Sequence, residues 1–142
     1  PLYSSAASDV YKRQLLGSLR ESLAMLKEYE GISLKNYRSE RKIQDIVERE
    51  FERGIHACAD IGARIISIKG LTPAATYVEI FDILSDQGFI GADLADGMKD
   101  LVRFRNILAH EYFRIDHKKV HRLLKRGPKI LREFARTIDT LL

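Results

Sequence analysis

A single cysteine, Cys58, leaves this chain without any possible internal disulfide. It lies in an apolar helical pattern, where a buried thiol is the simple reading. No apolar run approaches the roughly 18 uninterrupted residues of a membrane span. No segment combines a basic start, an apolar core and a small-residue cleavage site, so neither export nor membrane association is expected and the reading is cytosolic. Strand signals are missing too: period-2 alternation, hairpin turns and β-branched runs are absent. Catalytic signatures are similarly scarce. His110-Glu111 begins like a zinc-helix motif, but Arg114 stands where its second histidine belongs. No serine sits in a Gly-x-Ser-x-Gly turn, and Cys58 has no basic neighbour in sequence, which argues against a nucleophilic triad. Neither a metal nor a cofactor is implied.

What remains is a chain of 142 residues, 45% apolar and 31% charged, the size and composition of one globular domain with a real core. Its formal charge is +4, which permits nucleic-acid binding without demanding it. The distribution is uneven. Between Glu79 and Asp100 six acidic residues face Lys99 alone; between Lys118 and Arg136 eight basic residues face Glu133 alone. Such a run is either a solvated helix face or a surface for a polyanion, with Lys118, Lys119 and Arg122 leading it.

The first fourteen residues, PLYSSAASDVYKRQ, lack an initiating Met and an amphipathic period, and resemble translated adapter sequence. The domain is therefore expected over residues 15–142. Without the leader 22 basic and 19 acidic residues remain, a charge of +3, so the charge argument is unaffected.

Apolar residues recur at three- and four-residue steps from Leu15 to Tyr29, predicting a helix stopped by Gly31. Ser33 can cap a short turn. Ser39 precedes a long periodic segment from Ile43 to Lys69, with Gly70 as a left-handed stop; Gly54 and Gly62 inside it suit close helix packing. Thr76 and Glu79 form a capping box for a helix closed by Gly88. Another helix starts near Gly91 and ends around His110 to Tyr112, and Asp116 caps the last. Gly127-Pro128 predicts a kink or short break there. The sum is an all-α, antiparallel up-and-down bundle of four to five helices.

The distinctive stretch is RFRNILAHEYF, residues 103–113. Asn106 and His110 are four residues apart and share a helix face, with Arg103 on the same edge. Arg105 and Tyr112, seven apart, line up elsewhere. Arg105 and His110 differ by about 140° on an ideal helix. Either Arg105 reaches around with its long stem, or the helix ends before His110 and turns it, or a second copy completes the site. A histidine that shuttles a proton beside an arginine that grips phosphate suits metal-free RNA cleavage. The three other histidines (His56, His117, His121) have no distinctive setting. Asp60, among Ile55, Cys58, Ile61 and Ile65, needs a partner if buried: an arginine of the motif, or a local polar pocket.

Arg105-Asn106-Ile107-Leu108-Ala109-His110-Glu111-Tyr112 resembles the RX4HXY signature of the HEPN superfamily, specifically its HepT-like (DUF86) ribonuclease toxins. The resemblance extends over nearly all of the chain after Leu15, through VEREFERGIHACADIGARII, TYVEIFDIL and LVRFRNILAHEYFRID in that order. It implies a homodimeric bundle with two motifs near the interface, acting as a metal-independent endoribonuclease on RNA. It also implies a partner, an MNT-type nucleotidyltransferase antitoxin that transfers AMP to the motif tyrosine. Carried over, Arg105 and His110 would be catalytic, Asn106 supporting and Tyr112 the AMP acceptor; the basic residues Arg103, Lys118, Lys119 and Arg122 would then have a task as contacts for RNA phosphates. The alternative is a non-catalytic HEPN dimer that binds nucleotide or docks a nucleotidyltransferase.

Overall fold

The computed structural model describes the backbone of residues 2–141 and side chains from Asp9 to Leu141. Six α-helices and one 3₁₀ turn account for all regular structure in this span: α1 (Leu2–Glu28), α2 (Leu34–Ser39), α3 (Arg41–Ile68), α4 (Tyr77–Asp86), α5 (Ala92–His110), the 3₁₀ turn Tyr112–Arg114, and α6 (His117–Asp139). Five long or medium helices match the expected bundle. The sixth is the short α2, which grows from the turn expected at Ser33; the Ser33 hydroxyl accepts the Asn36 N–H at 3.1 Å.

Helix α3 is central. It packs against α1, α4, α5 and α6, and it buries Val47, Phe51, Ile55, Cys58, Ile61 and Ile65 at helical spacing. Its end follows the expected logic. Gly70 takes φ +70°, and the Leu71 N–H returns to Ile66 O at 3.0 Å. Its start differs slightly: Ser39 belongs to α2, and Glu40 flanks α3 without a side-chain cap. Thr76 caps α4 by accepting the Glu79 N–H at 3.2 Å, while Glu79 accepts the Ala75 N–H at 2.8 Å. Gly62 lets α3 and α4 meet closely, since a Cβ there would fall 2.6 Å from Ile80 Cγ2.

Two expectations need correction at the ends of the chain. Helix α1 continues back to Leu2 instead of starting at Leu15. Among the described side chains, inward packing begins at Leu15 and Leu16, whereas Val10 and Tyr11 are exposed. The side chains of residues 1–8, part of the adapter-like stretch, lie outside the described residues. Helix α6 also runs unbroken through Gly127-Pro128. Pro128 has no N–H to give Leu124, but Val120, Leu124, Leu131, Phe134 and Ile138 are all buried on one side of the helix, and this packing outweighs one lost hydrogen bond.

Gly127 is what allows α6 to lie so close. A Cβ there would sit 2.7 Å from Phe51 Cε1 and 3.2 Å from Cζ, and the Phe51 ring, fully buried against Phe104, has nowhere to move. Gly127→Ala is expected to destabilise the fold by roughly 1–2 kcal/mol, overpacking outweighing the better helix propensity of alanine. A lower urea midpoint at unchanged slope is the measurement.

Candidate functional site at the end of helix α5

Helix α5 is oriented by Leu101, Phe104 and Leu108, which face the core at three- and four-residue steps. Phe104 meets Phe51 edge to face, with ring centroids 5.6 Å apart. At 100° per residue, this places Asn106 and His110 on the outer face and Arg105 on the flank. All three agree: Asn106 and His110 are exposed, and Arg105 is half-buried. The helix ends at His110, with Glu111 N–H still bonded to Ile107 O at 2.9 Å. The helix thus does not end before His110 to turn it toward Arg105; His110 is the last helical residue and keeps its place on the outer face.

The same ending separates Tyr112 from Arg105. Tyr112 lies in the 3₁₀ turn, 61% exposed, beside a fully exposed Phe113, so the seven-residue alignment expected on a straight helix does not occur. The motif runs antiparallel along α3 and borders two successive clefts. At one end Arg105 lines a cleft of about 330 Å³ with Ser18, Arg49, Glu52, Arg53 and His56. At the other, Tyr112 and Phe113 line a groove with Arg38, Arg41, Asp45, Glu48 and His117.

Arg105 has no carboxylate partner among the described residues. Its guanidinium lies over the Tyr77 ring, Cζ 5.5 Å from the centroid. Its Nη1 makes a long 3.4 Å contact to Asn106 Oδ1, and its buried Nε has no acceptor. Tyr77 in turn is held by polar groups. Its hydroxyl is 3.0 Å from His56 Nδ1, and His56 Nε2 is 3.0 Å from Asp60 Oδ2. Burial first, and then the Asp60 charge, push the Tyr77 phenol upward in pKa, keeping it neutral. Asp60 therefore serves a local polar network with His56 and Tyr77, and Arg105 adjoins that network through the Tyr77 ring.

His56 and Tyr77 were not singled out by sequence, although the four-residue spacing of His56 and Asp60 was a usable signal. The other histidines also have settings: His121 Nε2 lies 2.7 Å from Ile32 O, and His117 packs on the Tyr37 ring. Arg103 pairs with Asp100 at 3.2 Å on the surface. Lys118, Lys119 and Arg122 project into solvent from the first turns of α6, whose N-terminus is capped by Asp116; they border neither cleft. Among the described residues no group of three His, Cys, Asp or Glu side chains could hold a metal, and no helix is long and apolar enough to cross a membrane.

The sequence matches the Ribonuclease HepT-like family over residues 19–138. The chain belongs to this family. It is 27% identical to the candidate RNase YutE of Bacillus subtilis (strain 168) over 88 residues, which span 62% of this chain and 61% of YutE. The HepT-like fold extends to solved structures. A tri-AMPylated Shewanella oneidensis HEPN toxin in complex with an MNT antitoxin superposes with a TM-score of 0.85 at 20% identity, over 92% of this chain and 97% of that one. A toxin–antitoxin crystallised with AMP-PNP also gives 0.85, at 19% identity over 92% and 98%. The structure of cytosolic YutE gives 0.80, at 22% identity over 92% and 87%. These structural likenesses establish the HEPN bundle.

Glu48, in the groove beside Tyr112, is pushed up to about 7 by burial, with Asp45 and Glu52 adding to the effect. A carboxyl raised above its unfolded value holds a proton in the fold that it lacks in the open chain. Stability is therefore lost as pH rises from the unfolded value of about 4.5 through 7. Glu48→Gln is expected to flatten this limb and to exceed the parent in stability at pH 8 by on the order of 1 kcal/mol, measured by urea denaturation across pH.

Proposed function

We propose that this HepT-like chain is a metal-independent endoribonuclease toxin that acts as a homodimer. The observation that carries the reading is the state of Arg105: a half-buried arginine at a cleft, resting on an aromatic ring and tied to no carboxylate. Its fork is available to a phosphate, which an arginine recognises through paired N–H donors. His110, exposed at the helix end, is the proton acceptor. It takes the proton of a ribose 2′-hydroxyl; the 2′-oxygen bonds to the adjacent phosphorus as the bond to the 5′-oxygen breaks, leaving a 2′,3′-cyclic phosphate and a 5′-hydroxyl whose proton comes from water or the protonated histidine. Arg105 steadies the charge that grows on the phosphate, and Asn106 supports it. Because the flank position of Arg105 and the outer position of His110 diverge within one chain, a second copy supplies the complementary half of the cleft.

The ridge of Lys118, Lys119 and Arg122 attracts the RNA backbone, and Arg103 beside the motif joins it by exchanging Asp100 for a phosphate. Tyr112 is the switch. It is exposed on the turn just after His110, accessible to an MNT-type nucleotidyltransferase and close enough in sequence for a transferred AMP to exclude RNA by bulk and charge.

His110→Ala and Arg105→Ala are each expected to reduce RNA cleavage by at least 10²-fold in the presence of EDTA, with thermal unfolding unchanged. Full cleavage by His110→Ala overturns the assignment, and a purified dimer that cuts no RNA at all points to the non-catalytic alternative. Incubated with the nucleotidyltransferase and ATP, the parent is expected to gain AMP mass on Tyr112 and Tyr112→Phe to gain none; intact mass spectrometry and the cleavage assay read both outcomes.

A further inference from the structure

We propose that Tyr77 and His56 are positioning residues for Arg105: the Tyr77 ring holds the guanidinium, and His56 holds the ring through its hydroxyl. This rests on the role given to Arg105 above and adds two residues that the motif does not contain.

The geometry runs through three helices. Asp60 and His56 are one turn apart on α3, with His56 Nε2 3.0 Å from Asp60 Oδ2. His56 Nδ1 faces the Tyr77 hydroxyl at 3.0 Å across to α4, and the rings meet edge-on with centroids 5.7 Å apart. The Tyr77 ring then carries Arg105 of α5, Cζ 5.5 Å from its centroid. With His56 neutral, Nε2 donates to Asp60 and Nδ1 accepts the phenol hydrogen, so the two contacts satisfy both ring nitrogens and the Tyr77 hydroxyl together.

An aromatic platform suits an arginine that must receive an anion. A carboxylate partner would occupy the same N–H donors that phosphate needs, and would have to be displaced. A ring face orients the guanidinium plane while leaving its Nη donors open. Arg105 has no competing anchor: one long contact from Nη1 to Asn106, and an Nε without an acceptor.

The buried Nε supplies a readout independent of activity. Its N–H resonance, assigned by its loss in Arg105→Lys, is expected to be narrow and displaced upfield by the Tyr77 ring current. In Tyr77→Leu this displacement is lost, and kcat for RNA cleavage falls tenfold or more, with KM changed less than threefold. Tyr77→Phe keeps the ring but loses the hydroxyl that His56 holds; it is expected to keep the displacement, with the Arg105 signal broadened and kcat three- to tenfold lower, as in His56→Leu. His56→Leu releases the hydroxyl without touching the ring; the Arg105 signal broadens, and kcat falls by three- to tenfold. An Arg105 resonance unchanged in both Tyr77→Leu and His56→Leu overturns the proposal, as does an equal loss of activity in Tyr77→Leu and Tyr77→Phe. If Tyr77→Leu does not fold, the His56→Leu spectrum decides alone. A parent that cuts no RNA overturns the ribonuclease reading instead, and the resonances still decide whether Tyr77 and His56 position Arg105.

Discussion

Phe51 is the fixed point of this molecule. Its ring, fully buried in the central helix, receives Phe104 of α5 on its edge and the bare backbone of Gly127 of α6 at close range. Three helices are thereby set against one side chain. The rotation of α5 follows, because Phe104 can reach Phe51 in only one orientation of its helix. With Phe104 inward, Arg105 must lie on the flank toward α3 and α4, and Asn106 and His110 must face out. The chemistry-bearing residues are exposed or half-exposed as a consequence of core packing on the adjacent positions, with no specific device needed at each.

That constraint also divides the motif in two. The flank residue finds a prepared pocket within its own chain, made by Tyr77, His56 and Asp60. Of the outer residues Asn106 has only its long contact with Arg105, and the helix stops at the exposed histidine. Residues after it turn away along α3 toward the Tyr112 groove. One copy thus holds its arginine firmly and leaves its histidine open to solvent. Such a division fits a site whose second half comes from another molecule better than one closed within a single bundle.

Much of this was legible in the sequence because it depends on local rules. Capping residues Ser33, Thr76 and Asp116 act within one turn, and Gly70 and Gly88 carry the positive φ that ends a helix. Gly62 could be read as a close-packing site because its neighbours in α3 are apolar. The continuity of α6 through Pro128 was not legible: it depends on five buried side chains and on the absence of a Cβ opposite Phe51, which only the assembled bundle reveals. His56 was passed over for the same reason. Its partner Asp60 is on its own helix, but Tyr77 comes from a different one, and only that contact links the pair to Arg105. Tyr112 was aligned with Arg105 by a helical period that the chain abandons two residues earlier.

The charge pattern gains meaning once pairing is known. The acidic stretch is partly neutralised from within: Lys99 lies 2.8 Å from Asp82 and 3.5 Å from Asp96, and Asp100 pairs with Arg103. Exposed pairs of this kind add little stability, but they cancel field. The basic face of α6 has no such compensation, for Lys118, Lys119, Arg122, Lys125, Arg126 and Lys129 are exposed and make no ion pair among the described residues. Charges left unpaired along one helix add their potentials over a Debye length of about 8 Å in physiological salt. The field of the protein is therefore more one-sided than a net charge of +4 suggests. Arg105 follows the same economy at shorter range, since a ring holds it where a carboxylate would have cancelled it. The chain thus neutralises part of its acidic stretch from within and leaves the basic face of α6 uncompensated, which concentrates its positive potential on one side.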